Sequence, residues 1–222
     1  MRKLLLTGFE PYSSTIVNPA EEVAKALDKQ IINQVSVTST IVPNTFFKAI
    51  NHVRSEMLKD DYDFVLMMGE YTGRAMVTLE RYAHRLIDAY RYQLHDNDGI
   101  SYSNKQTVEN GPVAYQTHLP IKRIVEAIRA DGIPADISDT AGTFVCNHLF
   151  YGILHEIHEQ NHAIKAGWVH LPMLPGTAAQ KEYLGMPSMC LDSQINAIKA
   201  TIDVLASHDT DIDKSISAGL QI

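Results

Sequence analysis

Cysteine is scarce: the chain has two, Cys146 and Cys190, in 222 residues. Two thiols cannot staple a protein of that size, so they read as reduced thiols of a cytoplasmic protein rather than a disulfide framework. Long apolar runs are missing too. The opening Met1-Arg2-Lys3-Leu4-Leu5-Leu6-Thr7-Gly8 holds three consecutive leucines before turn residues begin, too few for a signal peptide, and no stretch reaches membrane-spanning length. Positive charge is outnumbered, 19 Lys and Arg against 26 Asp and Glu, for a formal net charge of -7. No basic face is therefore offered to nucleic acid or to an anionic membrane. Internal repeats, low-complexity tracts and linkers are absent as well.

What is present is the composition of a globular chain, 45% hydrophobic and 20% charged, at a length that favours one domain over residues 1–222. Apolar runs over 3–7, 35–42, 62–68, 135–138 and 163–171 predict strands, and 75–88, of mixed periodicity, is read as another. Helices are expected from the Asn18-Pro19 cap to 27, and over 46–58, 120–130, 177–184 and 188–207, with one more from Cys146 to about 159. The polar tract 93–111 is expected to be an exposed, mobile excursion, and the tail from His208 to be loose. Strands alternating with helices predict a three-layer α/β sandwich, a mostly parallel twisted sheet flanked by helices. In such folds the ligand crevice lies at the C-terminal strand ends. That places two loops there, Phe9-Glu10-Pro11-Tyr12-Ser13-Ser14 and Gly69-Glu70-Tyr71-Thr72-Gly73-Arg74.

The run from Ser138 to Gly152 carries the clearest chemistry. If its helix begins near Thr143 to Cys146, the Cys146 sulfur lies over the first turn, where unpaired N–H groups and the helix dipole favour a thiolate. A small cysteine packing helix against sheet is an equal reading. A nucleophile needs a base, and ten histidines compete. His148 is two residues from Cys146 on the same helix and points away from it. His155, His158 and His162 share a helix flank, but His155-Glu156-Ile157-His158 lacks the spacing of a zinc helix, so no metal site is expected. His170 sits at a strand end, at the crevice edge, where it is either a base or a cap on a carbonyl. Glu80, in a part-apolar segment, is either its partner or one half of an ion pair with Arg81 or Arg85. Cys190 reads as packing for the last helix. Spacing alone does not bring Glu80, Cys146 and His170 together.

Across nearly its whole length the sequence resembles the pyroglutamyl peptidase I (pyrrolidone-carboxylate peptidase) family of cysteine peptidases. The resemblance is carried, in order, by Leu6-Thr7-Gly8-Phe9-Glu10-Pro11 with Asn18-Pro19, Gly73-Arg74, Leu79-Glu80-Arg81, Gly111-Pro112, Leu119-Pro120, Asp139 to His148, Tyr151-Gly152, His170-Leu171-Pro172 and Pro187-Ser188-Met189. It implies hydrolysis of the amide bond after an N-terminal pyroglutamyl residue, through a thioester and without a cofactor. Glu80, Cys146 and His170 fall on the family's acid, nucleophile and base. Phe9 and Tyr12 fall on the aromatic pair around the lactam ring, with Phe144, Val145 and Thr45 as further ring-pocket residues and the backbone N–H of Cys146 as oxyanion donor. The resemblance also implies peptide substrates and a homo-oligomer, typically a homotetramer.

The departures cluster around recognition. Tyr12 stands where phenylalanine is usual, and Glu70 where the family has a glutamine that reads the lactam. Tyr82-Ala83-His84-Arg85 replaces Val-Ala-Ile-Asn, and Tyr90-Arg91 follows Asp88-Ala89 where the family places an arginine directly. Arg85 is a candidate to neutralise Glu70. These differences keep alternatives in view: a binding or sensing protein derived from the family, a hydrolase of altered N-terminal specificity, or a thiol redox sensor.

Overall fold

The computed structural model of the chain describes residues 1–13 and 15–218. The chain opens on β1 (Arg2–Phe9), buried from Leu4 onward. Asn18 then starts α1 (Pro19–Leu27): its Oδ1 accepts the Ala20 N–H at 3.0 Å, and Pro19 takes the first helical position, where its missing N–H has no partner to lose. After it come β2 (Ile31–Ile32), β3 (Val35–Val42), α2 (Lys48–Met57) and β4 (Phe64–Glu70). Five short strands follow, β5 (Val77–Glu80), β6 (Tyr82–His84), β7 (Leu86–Ile87), β8 (Lys105–Gln106) and β9 (Ala114–Gln116). The chain continues through α3 (Ile121–Ala130), β10 (Ala135–Ser138), α4 (Val145–Glu159), β11 (Lys165–Leu171), the single turn α5 (Pro175–Ala178) and α6 (Leu191–Ser207).

The main sheet has the order β10-β5-β11-β4-β1-β3-β2. Its centre is parallel, β3 with β1, β1 with β4 and β4 with β11, while β5 runs antiparallel to β11 and parallel to β10. Central strands covered on both faces are apolar throughout, and every residue of β4 is buried. One face packs on α1, α3 and α6 through Leu4, Leu6, Leu66, Ile124 and Ile198; the other packs on α2 and α4 through Leu5, Val65, Met67, Val53 and Phe150. The expected three-layer α/β sandwich is the architecture observed. Gly8 permits its tightest approach, since a Cβ there would lie 2.1 Å from the Ala20 carbonyl oxygen at the start of α1. Among the described residues, no helix is long and apolar enough to cross a membrane.

Several expectations are corrected. The strand read over 75–88 is three, β5 in the main sheet, β6 paired with β9 and β7 paired with β8. Its irregular periodicity reflects a change of partner every few residues. β4 runs through Gly69 to Glu70 instead of stopping at Gly69. The helix expected over 177–184 is α5 plus a 3-10 turn at Lys181–Tyr183, separated at Gln180, whose backbone is extended (ψ 148°). The last helix starts at Leu191 because Cys190 is extended, and Cys190 itself is exposed, its sulfur 3.1 Å from Ser193 Oγ, rather than packed. The excursion over 93–111 is exposed but anchored: buried Asp96 accepts the Phe46, Asp98 and Ile100 N–H groups, and Asn97 donates to Glu10 Oε1 and the Pro11 carbonyl. The tail is anchored as well, since Asp211 accepts the Lys122 and Arg123 N–H groups at the start of α3 and Asp209 pairs with Arg2 and Lys165. Residues 219–222 of that tail, and Ser14 of the first loop, lie outside the described residues.

Candidate active site

Cys146 is the second residue of α4, at a helix start with no side-chain cap; the first intrahelical bond runs from the His148 N–H to the Phe144 carbonyl. The N–H groups of Val145, Cys146 and Asn147 are thus the unspent donors that every helix start presents. This start points at the C-terminal ends of β4 and β11. His170 pairs in register with Gly69 of β4 on one side and with Thr78 of β5 on the other, and Trp168 lies opposite Glu80. Alternation along the strands puts Gly69, Thr78, Glu80, Trp168 and His170 on the pleat that faces α4. Glu80 and His170 are diagonal neighbours there, within reach of long side chains.

The diagonal is closed by a hydrogen bond of 2.7 Å between His170 Nδ1 and Glu80 Oε1. Both residues are buried. The carboxylate accepts only, so Nδ1 carries the proton and Nε2 keeps its lone pair. Gly69 makes room for what stands beyond: a Cβ placed on it would lie 3.2 Å from Cys146 Sγ, 3.6 Å from His170 Cδ2 and 2.9 Å from the Trp168 ring. Sulfur and the Nε2 edge of the imidazole thus flank the same glycine. Gly69→Ala puts a methyl between them, and we expect kcat to fall at least about tenfold while the folded state, measured by thermal melting, loses no more than the 1–3 kcal/mol typical of an overpacked core site.

Glu80 is also the hub of a buried ion pair. Arg74 Nη1 lies 2.5 Å from the same Oε1, its Nη2 donates to Ser138 Oγ at 3.2 Å, and its guanidinium covers the Tyr71 ring at 3.8 Å. Burial pushes the Glu80 carboxyl up, but the His170 hydrogen bond and the Arg74 charge outweigh it, so Glu80 is held below the usual carboxylate range and stays ionised. Burial pushes His170 down, with Glu80 opposing and Arg74 reinforcing, so the imidazole is neutral. The Cys146 thiol is pushed up to about 12, chiefly by burial and then by the Glu80 charge, with its own backbone N–H and Arg74 pulling the other way. The resting thiolate anticipated from the helix start is therefore corrected. The N-terminal donors act in the expected direction, but burial beside two carboxyls is the larger effect.

Cys146 and His170 open onto a cavity of about 390 Å³, within the range of small-molecule sites. Phe9, Tyr12, Glu70 and Phe144 line it, as expected from the sequence, with the Tyr12 and Phe144 ring centroids 6.3 Å apart. Val145 and Thr45 do not. Val145 is fully buried in the core beneath α4, and Thr45 is buried in the turn before α2, where its carbonyl accepts the Ala49 N–H. Asn44 reaches the cavity in Thr45's place, and Tyr92, Leu94 and Tyr183 join from loops that carry no local signal. Arg85 does not neutralise Glu70; it donates to the Gly111 carbonyl at 2.5 Å. Nor does Glu80 pair with Arg81, which binds Asp139 at 3.0 Å.

Two further histidines of α4 are engaged locally. His148 accepts the Phe47 N–H at Nε2 and meets Thr107 Oγ at Nδ1, and burial holds it neutral, with a pKa near 3. His155 stacks on Tyr151 and meets the Tyr115 hydroxyl at 2.8 Å. Among the described residues no group of three or more His, Cys, Asp or Glu is placed to share a metal ion. What the geometry offers is acid–base and nucleophilic chemistry: a thiol, an imidazole lone pair fixed by a carboxylate, and unspent N–H donors, at the end of an aromatic cavity.

A family model described as pyroglutamyl peptidase matches residues 2–208. The pyrrolidone-carboxylate peptidase of Mycobacterium marinum is 46% identical over 222 residues, 100% of each chain. Among solved structures, pyroglutamyl peptidase I from Bacillus amyloliquefaciens aligns with a TM-score of 0.92 at 40% identity, over 96% of this chain and 99% of that one. Pyrrolidone carboxyl peptidase from Thermococcus litoralis aligns with a TM-score of 0.89 at 32% identity, over 97% of this chain and 100% of its own.

Proposed function

The chain belongs to the pyroglutamyl peptidase family, and from that premise we propose that it is a cysteine peptidase that removes an N-terminal pyroglutamyl residue using Cys146, His170 and Glu80. The observation that carries the assignment of roles is the 2.7 Å bond that fixes His170 Nδ1 on Glu80 and leaves Nε2 on the side of the Cys146 sulfur. Because thiol and imidazole are both neutral at rest, the proton moves as the sulfur attacks. His170 Nε2 takes it, and Glu80 stabilises the imidazolium that forms. The carbonyl oxygen of the scissile amide becomes an oxyanion, and the backbone N–H of Cys146, with its neighbours at the helix start, donates to it. His170 then protonates the leaving amine as the C–N bond breaks, giving a thioester and the shortened peptide. Water, deprotonated by the same nitrogen, releases pyroglutamate and restores the thiol. The steps call on no metal or organic cofactor.

Phe9, Tyr12 and Phe144 supply flat apolar faces to the lactam ring, and Glu70 a polar contact. A single catalytic domain over residues 1–222, a cytoplasmic location, a homotetramer, and no dealings with nucleic acid or membrane complete the proposal. The two free cysteines and the formal charge of -7 support the location and the missing polyanion partners, and the family resemblance supports the assembly. Binding or sensing without turnover is not favoured, because the relatives are peptidases and the acid–base pair here is assembled.

The direct check is incubation under reducing conditions with a fluorogenic pyroglutamyl amide and, in parallel, the matching glutaminyl and prolyl amides. Release from the first and none from the others is expected; release from none, or from all equally, contradicts the reading.

A further inference from the structure

The proposed acyl-transfer steps leave the carboxyl that lines the cavity without a part. Glu70 ends β4 with 4% of its surface exposed. The Thr72 hydroxyl donates to Oε1 at 3.0 Å, and Oε2 is buried with no hydrogen-bond partner among the described residues. The titratable and charged groups around it offer no counter-charge. From β11 comes His170, neutral and bound to Glu80. From the loop after β1 comes Tyr12, an acid. From the start of α4 comes Cys146, another acid, and from Glu70's own loop come Tyr71 and Arg74, the latter committed to Glu80. A carboxylate so placed would be dehydrated on one oxygen and unpaired. Such groups take up a proton instead, and burial indeed pushes Glu70 up to about 7 despite the Thr72 hydrogen bond.

We propose that Glu70 serves as a neutral carboxylic acid that donates a hydrogen bond to the lactam carbonyl of the substrate, and that its ionisation turns the site off. This rests on the pyroglutamyl reading. The N–H and C=O of a lactam lie on one edge of the ring, and a carboxylic acid matches both at once, giving its O–H to the carbonyl and accepting the N–H. A carboxylate can only accept, and it repels the carbonyl. Ionised Glu70 also adds negative charge beside Cys146, which disfavours the thiolate and the oxyanion alike. The sign follows: the acid is present below its raised pKa and is lost as pH climbs through it. Because bound lactam holds the proton in place, kcat/KM, which reports the free enzyme, declines on the alkaline side by about tenfold per pH unit, while kcat declines later.

The test is proton uptake. Cys146→Ala protein is titrated calorimetrically with pyroglutamyl amide at pH 8 in two buffers of different ionisation enthalpy. Close to one proton should be taken up per ligand bound, and none by Cys146→Ala/Glu70→Gln. Binding without uptake overturns the proposal and leaves the pyroglutamyl reading standing. Failure of both proteins to bind the amide at any pH, with no release by the parent enzyme, removes the pyroglutamyl reading and this inference with it. Steady-state profiles supply a second readout: the alkaline limb of kcat/KM near pH 7 must disappear in Glu70→Gln, and a limb unchanged by that substitution contradicts the proposal.

Discussion

Cys146→Ala is expected to lower the rate of release from a pyroglutamyl amide by at least about 10⁴, with the fold intact. In the proposed mechanism the sulfur forms the covalent intermediate, and it is the only thiol among the described residues that line the cavity. Cys190 is exposed at the start of α6 and does not line the cavity. Alanine keeps the helix start, being the best helix former, and removes one heavy atom from a site with a cavity beside it. Melting temperature and amide binding should therefore survive while turnover does not. Release within about tenfold of the parent rate would mean that another group attacks.

Glu80→Gln is expected to have the second largest effect, on two quantities at once. The amide cannot hold the imidazolium that forms when the thiol gives up its proton, nor enforce the tautomer with hydrogen on Nδ1, so kcat should fall by about 10² to 10⁴. Arg74, 12% exposed as a side chain, would meanwhile lose the carboxylate it faces at 2.5 Å. Breaking a buried pair from one side costs about 3–5 kcal/mol, because the remaining charge is stranded. The double variant Arg74→Met/Glu80→Gln should recover most of that stability in denaturant melts and none of the activity.

The pH dependence has a definite sign. Glu80 is held below the ordinary carboxylate range, so its stabilisation is present above the unfolded value near 4.5 and is lost as pH falls through its folded value. The glutamine variant lacks that acid-side loss. His170 is held below the ordinary histidine value of 6.5, so the acidic limb of kcat/KM in the parent enzyme should fall below pH 6.5.

The sequence carried some of this design and hid the rest for physical reasons. The strands at 35–42 and 135–138 and the Asn18-capped helix were legible because their signals are local: alternating β-branched residues, a short apolar run, and a cap followed by proline. Helix α4 was legible for the same reason. Long-range pairing was not. β5, β6 and β7 read as one strand because nothing within the segment shows that its partners change from β10 and β11 to β9 and then β8. Phe9, Tyr12 and Glu70 were legible as lining of the cavity because crevice loops follow strand ends, whereas Phe144 was named only through the family resemblance. Val145 was misplaced because neighbouring positions at a helix start face opposite ways, one into the cavity and one into the core. Arg74 escaped as a partner of Glu80 because they meet through a loop and a strand, six positions apart, with no periodicity to betray the contact. The upward shift of the Cys146 thiol was not legible because the helix start is visible in sequence, whereas the enclosure of the site and the carboxyls brought in by β4 and β5 are not.

The proposed mechanism turns on a covalent bond between the pyroglutamyl carbonyl and the sulfur of Cys146. Its most direct test is rapid acid quench during turnover of an activated pyroglutamyl ester, followed by mass analysis of the peptide that contains Cys146. This peptide should gain the mass of one pyroglutamyl group, and the adduct should decay as pyroglutamate appears and be absent in Cys146→Ala. Turnover at full rate with no adduct on Cys146, or with the adduct on another residue, would contradict it.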